Sequence, residues 1–462
     1  MKWYKSWRGT RGMMPFPFCV AIAHTPGRIV IPVLGPPGTM KFLTSLLAVA
    51  SSIAPLCAAL PQARQESWPN GPLVTSGRWA QDASGNNVNF AGTNWPGHGE
   101  VMIPEGLQFL SVEGVVSKIK SIGMNAIRLT FAIELVDQIY ANDGKDIDLK
   151  TAFINGLGET NGTAILAKVL ANNPSFTEQT TRLEVYDAIA EECAKQQVYI
   201  LLDNHMSKGK WCCSGNDGNT WWGDREFDAA NWVRGLTYMA NHGKSWTALV
   251  AMSLRNELRE ASDNPDLVAA SYHWQDWYKY IQQGTNAING ANPDVLIYLS
   301  GLNYDTTVAP VFRGTALTPG NGTFNLADFE GYQNKLVLEI HNYEGGIGSC
   351  SSLRYNLYNK GFQAMNETDP ATVNVFPVAL TEFGFNMNDD TYLNTYSTCL
   401  SEYLPEAKAS WFIWVVVGSY YVRQGTQNFD ESWGLLNADW SDWRNPEYIE
   451  QQVKPMVAGT IA

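Results

Sequence analysis

From about residue 85 to 458, short apolar runs alternate with longer segments whose apolar residues recur every three to four positions. The short runs are apolar throughout rather than strictly alternating, as expected for strands covered on both faces of a parallel sheet. They fall at Val88–Ala91, Asn125–Thr130, Val198–Asp203, Val250–Leu254, Val295–Ser300, Leu336–His341, Val378–Thr381 and Ser410–Val415. Helical periodicity precedes four of them, at Val112–Ile122, Leu183–Gln197, Phe227–Asn241 and a long stretch Leu267–Ile288 that gives way to Gly290 and Pro293. The pattern predicts an α/β fold, a (β/α)8 TIM barrel forming a single domain of catalytic size over residues 85–458. No glycine-rich phosphate loop follows the first strand, which removes the main support for a doubly wound dinucleotide fold.

Composition refines this picture at the N-terminus. Residues 1–39 hold five Lys or Arg, no acid and several prolines, and read as an upstream extension ahead of the true start at Met40. From Met40 the chain runs through one lysine, the apolar stretch Phe42–Ala50 and small residues around Cys57–Ala59. That is the layout of a secretory signal peptide over residues 40–59, too short and serine-interrupted to span a membrane. Residues 60–84 form an N-terminal segment, and the mature chain is expected to begin between residues 60 and 70. An extracellular protein is therefore expected, with no membrane association after cleavage. Three sequons, at Asn161, Asn321 and Asn366, agree with export and glycosylation.

The net charge of −13 argues against a nucleic-acid partner, which needs a basic footprint. The hydrophobic share of 45% describes a large core, while 17 Trp exceed what packing alone requires. Five cysteines follow the leader, so at least one is unpaired within the chain. Cys193 lies on the apolar side of its helix and reads as a buried thiol. Cys350 and Cys399 fall in neighbouring barrel units and are expected to bridge, leaving Cys212 and Cys213 to pair with each other or with separate partners.

In a barrel of this kind, functional groups gather where strands end. Those ends read GTNW (92–95), IRLTF with Arg128, LLDNHMS with Asp203, Asn204 and His205, and SLRNEL with Arg255, Asn256 and Glu257. They continue as LSGLNY (299–304), LEIHNY with His341 and Tyr343, LTEFGF with Glu382, and SWFIWVVV with Trp411 and Trp414. So many polar groups on one rim, each costly to bury unpaired, point to a site that includes the Arg-Asn-Glu of the fourth strand. Two glutamates on different strand ends suit glycoside hydrolysis: one carboxyl protonates the leaving oxygen, the other attacks carbon or activates water. No His-Glu-x-x-His spacing occurs, and neither a metal nor a cofactor is expected.

Over roughly residues 85–450 this rim resembles glycoside hydrolase family five, the cellulase family of retaining (β/α)8 β-glycosidases, in a secreted fungal-type form. The resemblance rests on Asn256-Glu257 closing the fourth strand and Glu382-Phe383-Gly384 closing the seventh, with Arg128, His205, His341-x-Tyr343 and Trp414 at the family's other positions. It implies Glu257 as acid/base and Glu382 as nucleophile, the latter kept ionised by Arg128 and a hydrogen bond from Tyr343. Asn256 would bind the 2-hydroxyl of the sugar being cleaved, and His205 its other hydroxyls. His341 would tune the acid/base, and Trp414 would floor the −1 subsite. Trp95, Trp211, Trp221 and Trp222 are candidate platforms for further sugars.

Three departures bear on substrate. Leu258 stands where the family usually has proline, the third strand continues into SKGKWCCSGNDGNTWWGD, and three valines follow Trp414. The expected activity is hydrolysis of a β-linked polysaccharide, foremost a β-1,4-glucan cut internally, by a monomer. A β-mannanase, a β-1,3- or β-1,6-glucanase, an exo-glycosidase and a catalytically inactive carbohydrate-binding barrel are the alternatives.

Overall fold

The computed structural model describes residues 68–461, so the expected upstream extension and signal peptide lie outside the described residues. Eight parallel strands close into a barrel: β1 Ala91–Trp95, β2 Ala126–Ala132, β3 Tyr199–Met206, β4 Leu249–Ser253, β5 Leu296–Leu299, β6 Leu336–His341, β7 Val378–Glu382 and β8 Ser410–Ile413. Each strand pairs with the next, and β8 returns to β1 through Trp411–Ala91 and Ile413–Thr93.

Side chains alternate between the barrel interior and the surrounding helices. The inward set changes character along each strand: Ala126, Arg128 and Thr130 on β2; Leu201, Asp203 and His205 on β3; Val337, Glu339 and His341 on β6. The apolar ends join Leu73, Ala80, Phe90 and Phe412 in one cluster. An antiparallel hairpin, Val74–Ser76 with Trp79–Gln81, supplies part of that plug, and the Leu73 carbonyl accepts a hydrogen bond from Lys335 Nζ. One end of the barrel is thereby sealed with hydrocarbon while the other carries polar groups.

The outward faces pack on helices at Val112–Ser121, Arg182–Gln196 and Ala229–His242, close to their expected positions. Three further helices between β2 and β3, at Ile133–Ala141, Leu149–Leu157 and Glu159–Asn172, were not read from the sequence. The expected single helix 267–288 is two, Pro265–Ser271 and Trp274–Ala291. His273 divides them by adopting extended backbone and accepting the Asp276 N–H on its ring, as an N-cap does. The first strand also differs, running Ala91–Trp95 rather than Val88–Ala91, because the buried polar side chains of Thr93 and Asn94 find partners in the carbonyls of Ile413 and Thr381.

Beyond β8 the chain forms a second hairpin, β9 Ser419–Arg423 with β10 Thr426–Asp430. Gly418 anchors its start: a Cβ there would lie 1.6 Å from the Asn437 carbonyl oxygen, so only glycine permits that approach. Cys350 and Cys399 form a disulfide between helices Cys350–Lys360 and Thr395–Ala407, Cys212 and Cys213 are bonded to each other, and Cys193 is a buried free thiol. Asn161 and Asn321 are exposed, whereas the Asn366 amide is half-buried and donates to the Tyr358 hydroxyl. Among the described residues no helix is long and apolar enough to cross a membrane.

Candidate active site

Arg128, fully buried on β2, organises the polar end of the barrel. One terminal nitrogen donates to Asn94 at 2.9 Å and to Glu382 Oε1 at 2.6 Å. The other donates to Asn256 Oδ1 at 2.9 Å and faces Asp203 at 3.0 Å. Burial opposes the guanidinium charge, but Asp203, Glu382 and Glu339 outweigh it and hold the group above its ordinary value. Because Arg128 claims the Asn256 oxygen, the amide nitrogen of Asn256 is turned outward, 3.5 Å from both sulfurs of the Cys212–Cys213 pair.

The two glutamates meet above this base. Glu382 ends β7, with Oε1 held by Arg128 and Oε2 accepting the Tyr343 hydroxyl at 2.8 Å. Glu257 lies just past β4, with its carboxyl 3.0 Å from His341 Nδ1. His341 Nδ1 also lies 3.6 Å from Glu382 Oε2, and one oxygen of each glutamate and this nitrogen all fall within 4.8 Å of one another. Burial pushes Glu257 up to about 7, against the pull of Arg259 and Arg128. Burial raises Glu382 too, with His341 and Arg128 resisting. His341 is driven down to about 4, chiefly by burial, so it is neutral at pH 7. Of the two carboxyls only Glu382 has a cation and a phenol on its oxygens. A proton shared by the pair therefore rests on Glu257.

A cavity of about 520 Å³ opens over these groups. Trp414 lies at its wall with His205 stacked behind, ring centroids 5.4 Å apart. Asp203 takes the His205 Nδ1 at 2.7 Å, leaving Nε2 for a ligand; burial and then Arg128 hold this ring well below its usual pKa, so it too is neutral. Tyr343 exposes its ring at the rim, 38% accessible, while the hydroxyl reaches down to Glu382. Burial and the Glu382 charge keep that phenol protonated.

Arg128, His205, Asn256, Glu257, His341, Tyr343, Glu382 and Trp414 are thus brought together, and Trp211 joins them on the cavity wall. Trp95 is not among them. It is fully buried and donates from Nε1 to the Glu105 carbonyl at 2.9 Å, so it is core rather than a platform. Trp221 and Trp222 are likewise buried, packed on Tyr272, Tyr280 and Trp232. Arg255, expected at the site, turns away: its guanidinium covers Phe227 at 4.2 Å and donates to the Asn219 carbonyl, bracing the loop after β3.

The sequence reading missed the opposite wall. Arg423, Phe429 and the segment Asp430–Trp433 come from the β9–β10 hairpin and its exit. The Arg423 guanidinium sits 3.5 Å over the Trp211 ring and 4.5 Å from Phe429, and pairs with Glu431 at 2.5 Å. Stacking and ion pairing together fix this cation in place. Among the described residues, the groups of donors near enough to share an ion are Glu257, His341 and Glu382, or Glu257 with the two cysteines. The first set is already engaged in its own hydrogen bonds, and the sulfurs of the second are bonded to each other.

The model of the family described as "Cellulase (glycosyl hydrolase family 5)" matches residues 81–419. A glycosyl hydrolase 5 family protein of Chamaecyparis obtusa is 34% identical over 401 residues, covering 82% of this chain and 65% of that protein. The chain thus spans less than two thirds of that relative's length. An endoglucanase of Paenibacillus polymyxa is 22% identical, covering 84% of this chain and 88% of its own. Among solved structures, the catalytic domain of the major endoglucanase from Xanthomonas campestris pv. campestris has a TM-score of 0.60 at 18% identity, covering 84% of this chain and 99% of that one. An endocellulase from Pyrococcus horikoshii, solved as a cellotetraose complex, gives 0.62 at 17% identity over 84% and 99%. At such identities the likeness is one of fold.

Proposed function

The chain belongs to glycosyl hydrolase family 5, the cellulase family, and on that premise we propose that it is a secreted, retaining β-glycosidase acting on a β-linked glucan. The observation that carries the stereochemistry is the spacing of the glutamates. One oxygen of each carboxyl lies within 4.8 Å of one of the other, which favours the ~5–5.5 Å separation of a retaining pair over the ~6.5–9.5 Å of an inverting one.

The roles follow from the surroundings of each group. Glu257, raised to about 7, gives its proton to the glycosidic oxygen as the C1–O bond breaks. Glu382 forms the new bond to C1, steadied as an anion until then by Arg128 and Tyr343. Water then attacks C1, Glu257 takes its proton, and Glu382 departs. The turned-out amide of Asn256 donates to the 2-hydroxyl, His205 Nε2 accepts from a further hydroxyl, and the Trp414 face supports the ring. Export is supported by the leader-like stretch from Met40 and by disulfides, which persist in oxidising compartments. A glucan substrate is supported by relatives named endoglucanases and by the cellotetraose complex of a structural neighbour.

The test is Glu257→Ala assayed on an aryl β-glucoside whose phenol leaves without protonation. The glycosyl-enzyme should form, stall for want of a base, and turn over when azide is added, giving the β-glycosyl azide. An α-azide would mean a single displacement, and undiminished activity would mean that another carboxyl is used. Glucan, mannan and laminarin hydrolysis with product sizing assigns the substrate.

A further inference from the structure

Strand β5 contributes nothing to the cavity wall, yet the segment after it holds three consecutive non-glycine residues in the left-handed region. Asn303, Tyr304 and Asp305 all have positive φ, at 55°, 59° and 56°, a conformation that costs non-glycine residues free energy. Dense local bonding sustains it: Leu302 bridges to Thr307, Asn303 N–H donates to the Tyr272 hydroxyl, and Tyr304 N–H donates to the Leu258 carbonyl. The outcome is a fully buried Asp305 carboxyl beneath the loop that carries Glu257.

Asp305 makes two short contacts, and both reach the reacting groups. Its Oδ2 accepts the Glu257 backbone N–H at 2.7 Å. Its carbonyl accepts the His341 backbone N–H at 2.8 Å. Glu257 itself has φ 44°, so its backbone sits in a conformation it would leave without an anchor. The same Oδ2 also lies 3.8 Å from His341 Nε2, beyond hydrogen-bond range, on the side of the ring opposite the Glu257 carboxyl.

We propose that Asp305 is a positioning residue for the acid/base, holding the Glu257 backbone so that its carboxyl meets His341 and aims at the leaving oxygen. The idea rests on the glycosidase reading given above. It differs from ordinary core support in what it controls: Asp305 touches no substrate, and the Glu382 carboxyl is bound to Arg128 and Tyr343 independently of it. Loss of its side chain should impair proton delivery while leaving nucleophilic attack intact.

That asymmetry is measurable with aryl β-glycosides of graded leaving-group acidity. Asp305→Ala should lower kcat/KM on the order of 10²-fold for poorly acidic phenols, the scale of general acid catalysis, and leave dinitrophenyl glycosides within a few-fold of wild type. Asp305→Asn keeps an oxygen for the Glu257 N–H and should restore a wild-type dependence on leaving group. If Asp305→Ala does not fold, Asp305→Ser, too short to reach, takes its place. An equal loss across all leaving groups, or no loss, overturns the proposal. A wild-type enzyme that cleaves none of the panel would instead sink the glycosidase reading itself.

Discussion

Replacing Glu257 by Gln separates what this carboxyl does from what its burial costs the fold. Burial lifts its pKa from the ordinary 4.5 to about 7. Between those values the unfolded chain has released a proton that the folded chain retains. The unfolding free energy therefore falls as pH rises, by up to about 1.36 kcal/mol per unit, and levels off above pH 7 at a deficit of about 3 kcal/mol. Below pH 4.5 both states are protonated and the deficit vanishes. Glutamine is neutral throughout and similar in shape, so the variant should match the wild type near pH 4 and exceed its stability by about 3 kcal/mol near pH 8. Denaturant midpoints across that range, at constant slope, give the difference directly. Activity toward poor leaving groups should fall about 10²–10⁴-fold in the same variant. A stability difference that is the same at pH 4 and pH 8 would refute the reasoning, because it would mean that Glu257 is not the group burial has perturbed.

Trp211→Ala should raise KM for oligosaccharides with a small effect on stability, whereas Trp222→Ala should cost about 3–5 kcal/mol in denaturation with KM unchanged, since one ring lines the cavity and the other fills the core. Serine at both Cys350 and Cys399 opens a loop of 49 residues and should lower unfolding free energy by about 4 kcal/mol, with kcat intact because the joined helices lie outside the barrel. Gly418→Ala forces a Cβ onto the Asn437 carbonyl and displaces β9–β10; kcat/KM should drop roughly 10- to 100-fold in steady-state assays, while the eight-stranded core keeps its cooperative melt.

Much of this architecture is written in the hydrophobic pattern because parallel strands need apolar residues on both faces. The same rule explains the strand that was misplaced. In β1 the inward positions are Gly92 and Asn94, which look like a turn until Asn94 is seen to receive Arg128 and donate to Thr381 across the barrel. Residues that bear on chemistry from strand ends were legible as a constellation, since Glu257, Glu382, Arg128 and His341 each interrupt apolar sequence. Trp95 shares that position and misleads: what makes it core is the Glu105 carbonyl, ten residues on, and nothing local marks that partner. The break at His273 was hidden by Tyr272 and Trp274, which continue the apolar stripe across a cap. Arg423 closes the buried strand β9 and Glu431 follows the half-exposed strand β10, with no local pattern marking either, so the approach of Arg423 to Trp211 depends wholly on tertiary folding. Asp305 was invisible for a related reason, because its partners are backbone N–H groups.

The stacking of Arg423 on Trp211 ties together two walls encoded more than two hundred residues apart. Exchange of either segment alone, by recombination or by grafting from a relative, would leave a cation without its aromatic surface or a tryptophan without its cover. The walls of this pocket are therefore inherited as a pair, and a change of substrate range has to pass through coordinated substitution of both.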